Sequence, residues 1–156
     1  MELIKNIYQG QLDPPEGDVW FGLFDKYISF AIEDSADLEY AASCAKYLNS
    51  LNEELIKEIC EASINYCNSF LDAIGEEVRV FRNHKDILPL IYPSALLIPD
   101  PENGDEPIVH MELNCEWEAE HGMEWIIRGN KVLYVGAFNG IYPWSEITKD
   151  EIGNYA

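Results

Sequence analysis

The residues with the widest chemical reach sit in one short run, His110-Met111-Glu112-Leu113-Asn114-Cys115-Glu116-Trp117-Glu118-Ala119-Glu120-His121-Gly122. Two imidazoles, a thiol and several carboxylates are ligands that a hard or borderline divalent ion accepts. The same groups can do acid–base work, because clustered carboxylates raise one another's pKa and a nearby imidazole can shuttle protons. Strand periodicity places His110 and Glu112 on one face and Cys115 on the other. His121 falls a whole turn away, in phase with Met123 and Trp125. A single His-x-Glu is common by chance in an acidic chain, so no metal ligand, catalytic residue or cofactor is assigned from it. The enzymatic alternative is a metal-dependent or acid–base hydrolase built on His110, Glu112, Glu120 and His121. It requires those groups to converge in a concave pocket.

Other signatures are sparse. The chain has no Ser-centred elbow, P-loop or G-x-G-x-x-G. Gly136-Ala137-Phe138-Asn139-Gly140 has the look of a glycine-rich loop but lacks the Lys and helix that cradle phosphate, and it reads as a bulge and turn leaving the last strand. The four cysteines are Cys44, Cys60, Cys67 and Cys115. Cys60 and Cys67 are about 10 Å apart along one helix, too far to bridge. With no C-x-x-C pair, buried reduced thiols are expected.

Charge narrows the partners. The 156 residues carry 29 acids against 10 Lys and Arg, a formal net charge of -19. The acidity is even, with a net of -10 over residues 1–75 and -9 over 76–156, so folded surfaces carry it rather than a tail. Such a field repels phosphates and anionic lipid headgroups, which disfavours nucleic acid and membrane, and it attracts a basic protein. Keeping the protein in solution is the plainer role of the same charge. At 47% hydrophobic residues the chain can build a core, and no apolar run approaches the roughly 18 residues of a membrane span. A cytoplasmic protein is expected.

The elements that must position these residues are partly visible in the spacing. Leu3–Tyr8 reads as a first strand, and Asp13-Pro14-Pro15-Glu16-Gly17 as a loop. Val19–Phe24 and Tyr27–Ile32 suggest a hairpin about Asp25-Lys26. Asp34 and Ser35 are placed to cap a helix over about 36–50, with Asp37 favouring its positive end. Asn52 caps a second helix, whose stripe from Ile56 to Ile74 ends at Gly75. The short connection predicts an antiparallel helical hairpin. Pro89, Pro93, Pro99 and Pro101 break the next stretch, leaving Ser94–Ile98 as a short strand and 100–105 as an exposed loop. Val109, Met111, Leu113, Cys115 and Trp117 then alternate with polar residues, predicting a strand with one apolar and one polar face. Residues 118–122 make the reversal. Met123–Ile127 and Val132–Val135 form a hairpin around Gly129-Asn130, pairing Ile127 with Val132, Trp125 with Tyr134 and Met123 with Gly136. The expected fold is a single α+β domain over 1–156, a helical hairpin packed on a mainly antiparallel β-sheet with a C-terminal β-meander.

Cys115-x-Trp117-x-x-Glu120-His121-Gly122-x-x-Trp125, followed by a hairpin and Tyr134-Val135-Gly136, resembles a motif of small acidic uncharacterised bacterial proteins. Some of these are similar to the immunity proteins that accompany polymorphic toxins. The resemblance spans about 111–144, with Trp117, Glu120, His121 and Gly122 its most specific positions. It implies a stoichiometric binder that neutralises a toxin and implies no catalytic residue; the charge suits a basic target such as a nuclease. The leading expectation is therefore a non-enzymatic, immunity-like binding protein of the bacterial cytosol, with Glu116, Glu118, Glu120 and Trp144 as candidate contacts to a basic partner. A housekeeping domain with a small-molecule or self-association role is the third reading, and the oligomeric state is open.

Overall fold

The computed structural model describes residues 1–33 and 35–156. Seven strands lie in chain order across one sheet: β1 (Ile4–Tyr8), β2 (Glu16–Phe21), β3 (Lys26–Ile32), β4 (Ile91–Ile98), β5 (Val109–Cys115), β6 (Glu118–Arg128) and β7 (Lys131–Ala137). Every neighbouring pair is antiparallel except β3–β4, which is parallel. A parallel pair needs a long crossover, and here it holds both α-helices, α1 (Leu38–Leu48) and α2 (Glu53–Ala73), and a 3₁₀ helix at His84–Leu90. The architecture is thus α+β, a helical pair on a mainly antiparallel sheet that ends in a meander. No helix is long and apolar enough to cross a membrane, among the described residues.

Local chemistry sets the helix ends. Asp37, rather than the residues before it, is the N-cap of α1: its carboxylate accepts the Tyr40 N–H at 2.8 Å. Ser35 instead donates to Asp100, and Asp34 lies outside the described residues. Asn52 caps α2 through the Leu55 N–H at 2.8 Å. At its far end Glu76 N–H reaches Leu71 O and Gly75 N–H reaches Asp72 O, a Schellman closure. The four-residue connection makes the helices consecutive, yet each makes its main contacts with other elements: α1 with β2, β4 and β5, α2 with β7 and the 3₁₀ helix.

Three details depart from the sequence reading. The first hairpin closes through a 3₁₀ turn at Gly22–Phe24 and a left-handed Asp25, so β2 ends at Phe21. The reversal after β5 is Glu116-Trp117, because Cys115 pairs directly with Glu118. Residues 119–122 then bulge from β6, with Gly122 at φ +76°. Finally, Ile127 pairs with Val132 as expected, but Leu133 bulges out of β7, so Trp125 faces Val135 and Tyr134 faces Ile126. A one-residue slip exchanges sheet faces. Trp125 stays on the helical side, donating to Ser63 of α2 at 3.2 Å. Tyr134 moves to the opposite side.

That opposite side is not the polar, solvated face that alternation predicts. Residues 138–145 cross it as a strap, held where Arg128 donates to the carbonyls of Pro143 and Ser145. The strap buries the second face of β5 and β6, so His110 and Glu124 are as inaccessible as Met111 and Trp125. The outer edge of β7 is closed by Tyr155, which donates to Val135 O, and by the Asn154 amide, which accepts from Val135 N–H and donates to Leu133 O. At the other edge, β1 is broken by a left-handed Asn6 and an irregular register.

Candidate functional site

The chemically richest run does not assemble as one cluster. Its two histidines end in separate pairs. His110 leaves β5 on the strap side, and its Nε2 lies 2.5 Å from Glu124 Oε2. Glu124 stands on β6 directly across from Glu112 on one side and Gly136 on the other. It is fully buried, and it also accepts the main-chain N–H groups of Asn139 at 3.0 Å and Ile141 at 3.1 Å. The glycine-flanked segment after β7 therefore does cradle an anion, and the anion is the chain's own carboxylate. Gly136 leaves room beside it for the Tyr134 hydroxyl and for Gly153 O, since a Cβ there would stand 2.8 Å from the hydroxyl and closer still to that carbonyl. Tyr134 completes the network, donating to Ala137 O and accepting from Asn139 Nδ2. Burial first, then the neighbouring Glu124, push its hydroxyl up to about 12.

The second pair is local. Glu118 opens β6 with a buried side chain whose carboxylate accepts the N–H groups of Glu120 and His121, at 2.8 and 3.2 Å, and lies 3.1 Å from His121 Nδ1. The His121 ring itself is 71% exposed. Glu118 thus fixes the bulge and is not free for a partner. Glu116 and Glu120 are exposed, though Glu116 is engaged by Arg79 at 2.8 Å, a bond that raises the Arg79 pKa further. Trp144 is half-buried in the strap, donates its indole N–H to Asp100 O at 2.9 Å and lies under Arg128. Of the four candidate contacts, Glu116 and Glu120 offer carboxylates to solvent; Glu118 and Trp144 spend their polar groups inward.

The hydrolase arrangement of His110, Glu112, Glu120 and His121 is likewise divided. His110 is sealed beneath the strap, while His121 and Glu120 stand on the exposed bulge. No group of three or more His, Cys, Asp or Glu side chains is placed to hold a metal ion, among the described residues. The four thiols are buried and unbridged, and burial pushes Cys115 up to about 11 and Cys60 up to about 12, away from nucleophilic thiolate.

Spacing alone missed a different feature. A hollow of about 330 Å³ beside the start of α1 is lined by Asp37, Glu39, Tyr40, Ser43 and Asp105. All three charged groups are carboxylates, and all three residues are exposed. The Tyr40 hydroxyl ties the two sides together by donating to Glu106 O at 2.7 Å. Asp105 comes from the loop before β5, so only the tertiary fold brings it to α1. A second acidic strip runs along α2, where Glu54, Glu58 and Glu61 follow one another on the solvent side at helical spacing.

No curated protein and no solved structure matches this chain. A family model does, over residues 8–143, which takes in every strand from β2 to β7, both helices and the start of the strap. The chain belongs to the family described as Domain of unknown function (DUF6985).

Proposed function

We propose that this protein is a non-enzymatic binding protein that takes a basic protein partner on its acidic surface, in the manner of the immunity proteins its Cys115–Trp125 motif resembles. The observation that carries the reading is the division of its polar groups. Of those with catalytic potential, His110, Glu124 and the thiols are internally paired or buried, and His121 and Glu120 stand apart from them on an exposed bulge. The charged groups facing solvent are mostly carboxylates, and only Arg79–Glu116 and Lys85–Glu53 pair such a carboxylate with a Lys or Arg, among the described residues. Exposed acids without a positioned partner are poorly tuned for acid–base work, but together they steer a cationic protein to the surface. The hollow of Asp37, Glu39 and Asp105 suits an inserted Lys or Arg side chain, with Glu116 and Glu120 adding charge at another point. The partner is a basic toxin met in the bacterial cytoplasm.

The test is co-expression with a basic toxin encoded by a neighbouring gene. The expected result is a one-to-one complex that suppresses the toxicity and weakens as salt rises. The triple variant Asp37→Asn, Glu39→Gln, Asp105→Asn should lose affinity by about tenfold or more. A complex indifferent both to salt and to that variant would overturn the reading.

A further inference from the structure

The segment between α2 and the 3₁₀ helix, Glu76-Glu77-Val78-Arg79-Val80-Phe81-Arg82, belongs to no sheet. At its centre, Arg79, its backbone is nevertheless held extended like a strand. The Asn68 side chain accepts the Arg79 N–H at 2.9 Å and donates to the Arg79 C=O at 3.0 Å. One amide can grip both groups of a single residue only when that residue is extended, since only then do its N–H and C=O point the same way. Exposure alternates accordingly: Val78 is 48% and Val80 93% exposed, while Phe81 packs against the core and Arg79 turns to Glu116.

Extended geometry then aims the N–H and C=O of Val78 and Val80 away from Asn68. Neither residue has a main-chain partner, among the described residues. Asn68 thus stands in for a neighbouring strand on one side and leaves an open edge on the other. Both termini of the main sheet are protected by contrast, β7 by Asn154 and Tyr155 and β1 by its left-handed Asn6. An open edge rich in valine is a template for another strand.

We infer that two copies of this chain pair through this edge, antiparallel, about a two-fold axis at Arg79. The sequence is self-complementary in that register. Val78 of one copy falls opposite Val80 of the other, each pair exchanging both main-chain hydrogen bonds from the groups that are open. Arg79 falls opposite Arg79 as a non-hydrogen-bonded pair, which suits a residue whose N–H and C=O are already given to Asn68, and Glu116 neutralises its side chain. On the valine face, Glu76 falls opposite Arg82 at each end, and both are exposed with no ion pair of their own, among the described residues. Such a closed, isologous contact fits a second copy better than an unrelated strand. It is also small, well below the roughly 1,200 Å² of a standard stable interface, so the dimer is weak. The net charge of -19 on each copy opposes it at low salt, so added salt favours dimerisation, the reverse of its effect on a basic-partner complex.

Sedimentation of the full chain across protein concentration, at low and at moderate salt, tests this. The expected result is a monomer–dimer equilibrium that shifts to dimer as salt rises. Glu76→Arg places Arg against Arg at both ends and should weaken the dimer about tenfold. The double variant Glu76→Arg, Arg82→Glu restores opposite charges and should recover it, with thermal melts confirming that each variant is folded. Amide exchange gives an independent reading: Val78 and Val80 gain protection with concentration, while Arg79 is protected throughout. A chain that stays monomeric at all concentrations and salts overturns the inference, as does a dimer that ignores Glu76→Arg or that the double variant fails to rescue.

Discussion

His110–Glu124 and His121–Glu118 join the same two residue types at 2.5 and 3.1 Å, the second pair lying within the stretch of chain that the first one brackets. Both glutamates are buried and each also accepts two main-chain N–H groups, but the pairs differ in span and in the exposure of the imidazole. The first pair links two strands in the interior, under a strap whose main-chain N–H groups are aimed at the glutamate. The second spans three residues of a bulge, with its imidazole in water. Residue identity therefore says little about what such a pair does. What matters is how far apart in the chain the converging groups lie and whether water can replace them. In the interior nothing can, so the pair holds the strap down; on the bulge, water stands ready, so the pair only biases a local conformation.

The sharpest way to break the comparison is to remove each glutamate. Glu124→Ala leaves His110 Nε2 buried without its partner and the N–H groups of Asn139 and Ile141 buried without an acceptor. Breaking a buried pair by deleting one partner costs about 3–5 kcal/mol, so a large drop in the urea midpoint is expected. Hydrogen exchange should show the strap, residues 138–145, opening first. Glu124→Gln keeps one acceptor oxygen but turns an NH₂ toward donors, and about 1–3 kcal/mol of the loss should remain. If both variants melt like the parent, the strap is held by its apolar contacts and the buried pair is incidental.

Alkaline pH extends the contrast between interior and surface to the thiols. Burial holds Cys60 up to about 12 and Cys115 up to about 11, against an ordinary value of 9.0. The folded chain therefore keeps these protons at a pH where the unfolded chain has released them. The resulting stability is fully present below pH 9 and is lost as pH rises through the folded values. A urea midpoint that falls between pH 8 and 11, with slow labelling of native thiols by a maleimide at pH 8, is the expected outcome. Fast labelling of the folded chain at pH 8 would show that the cysteines are reached by solvent.

How much of this was readable beforehand follows the same line between local and non-local causes. Asn52, Gly75 and the Gly129-Asn130 turn act on their immediate neighbours, and their elements appeared where spacing put them. Glu124 was invisible because Met123-Glu124-Trp125 alternates like any strand with one wet face, and nothing nearby in sequence announces a strap. The Leu133 bulge hid Tyr134 in the same way, since counting outward from a correct turn carries the error of one extra residue to every later pair. The reversal falls at Glu116-Trp117 rather than at 118–122: Gly122, which looks like a turn residue, serves a bulge, while Glu116-Trp117 has no turn-forming chemistry of its own. The acidic hollow needed Asp105 brought to α1, which only the tertiary fold does.

The smallest effects lie on the bulge. Glu118→Ala removes the acceptor for two N–H groups at the edge of solvent, a loss resembling that of a helix cap, and should cost about 1 kcal/mol. His121→Ala should change stability by less than about 0.5 kcal/mol, because the ring is exposed and water replaces it beside Glu118. The pairing of these two numbers is what discriminates. If His121 contributed through its ion pair, deleting it would approach the Glu118 loss and would shrink in high salt. If Glu118 acts through the main chain, as its bonds to the Glu120 and His121 N–H groups require, the His121 variant stays near the parent at every salt concentration. A His121→Ala variant that melts with the Glu118 variant would place the weight of the bulge on the side-chain pair and erase the difference from His110–Glu124.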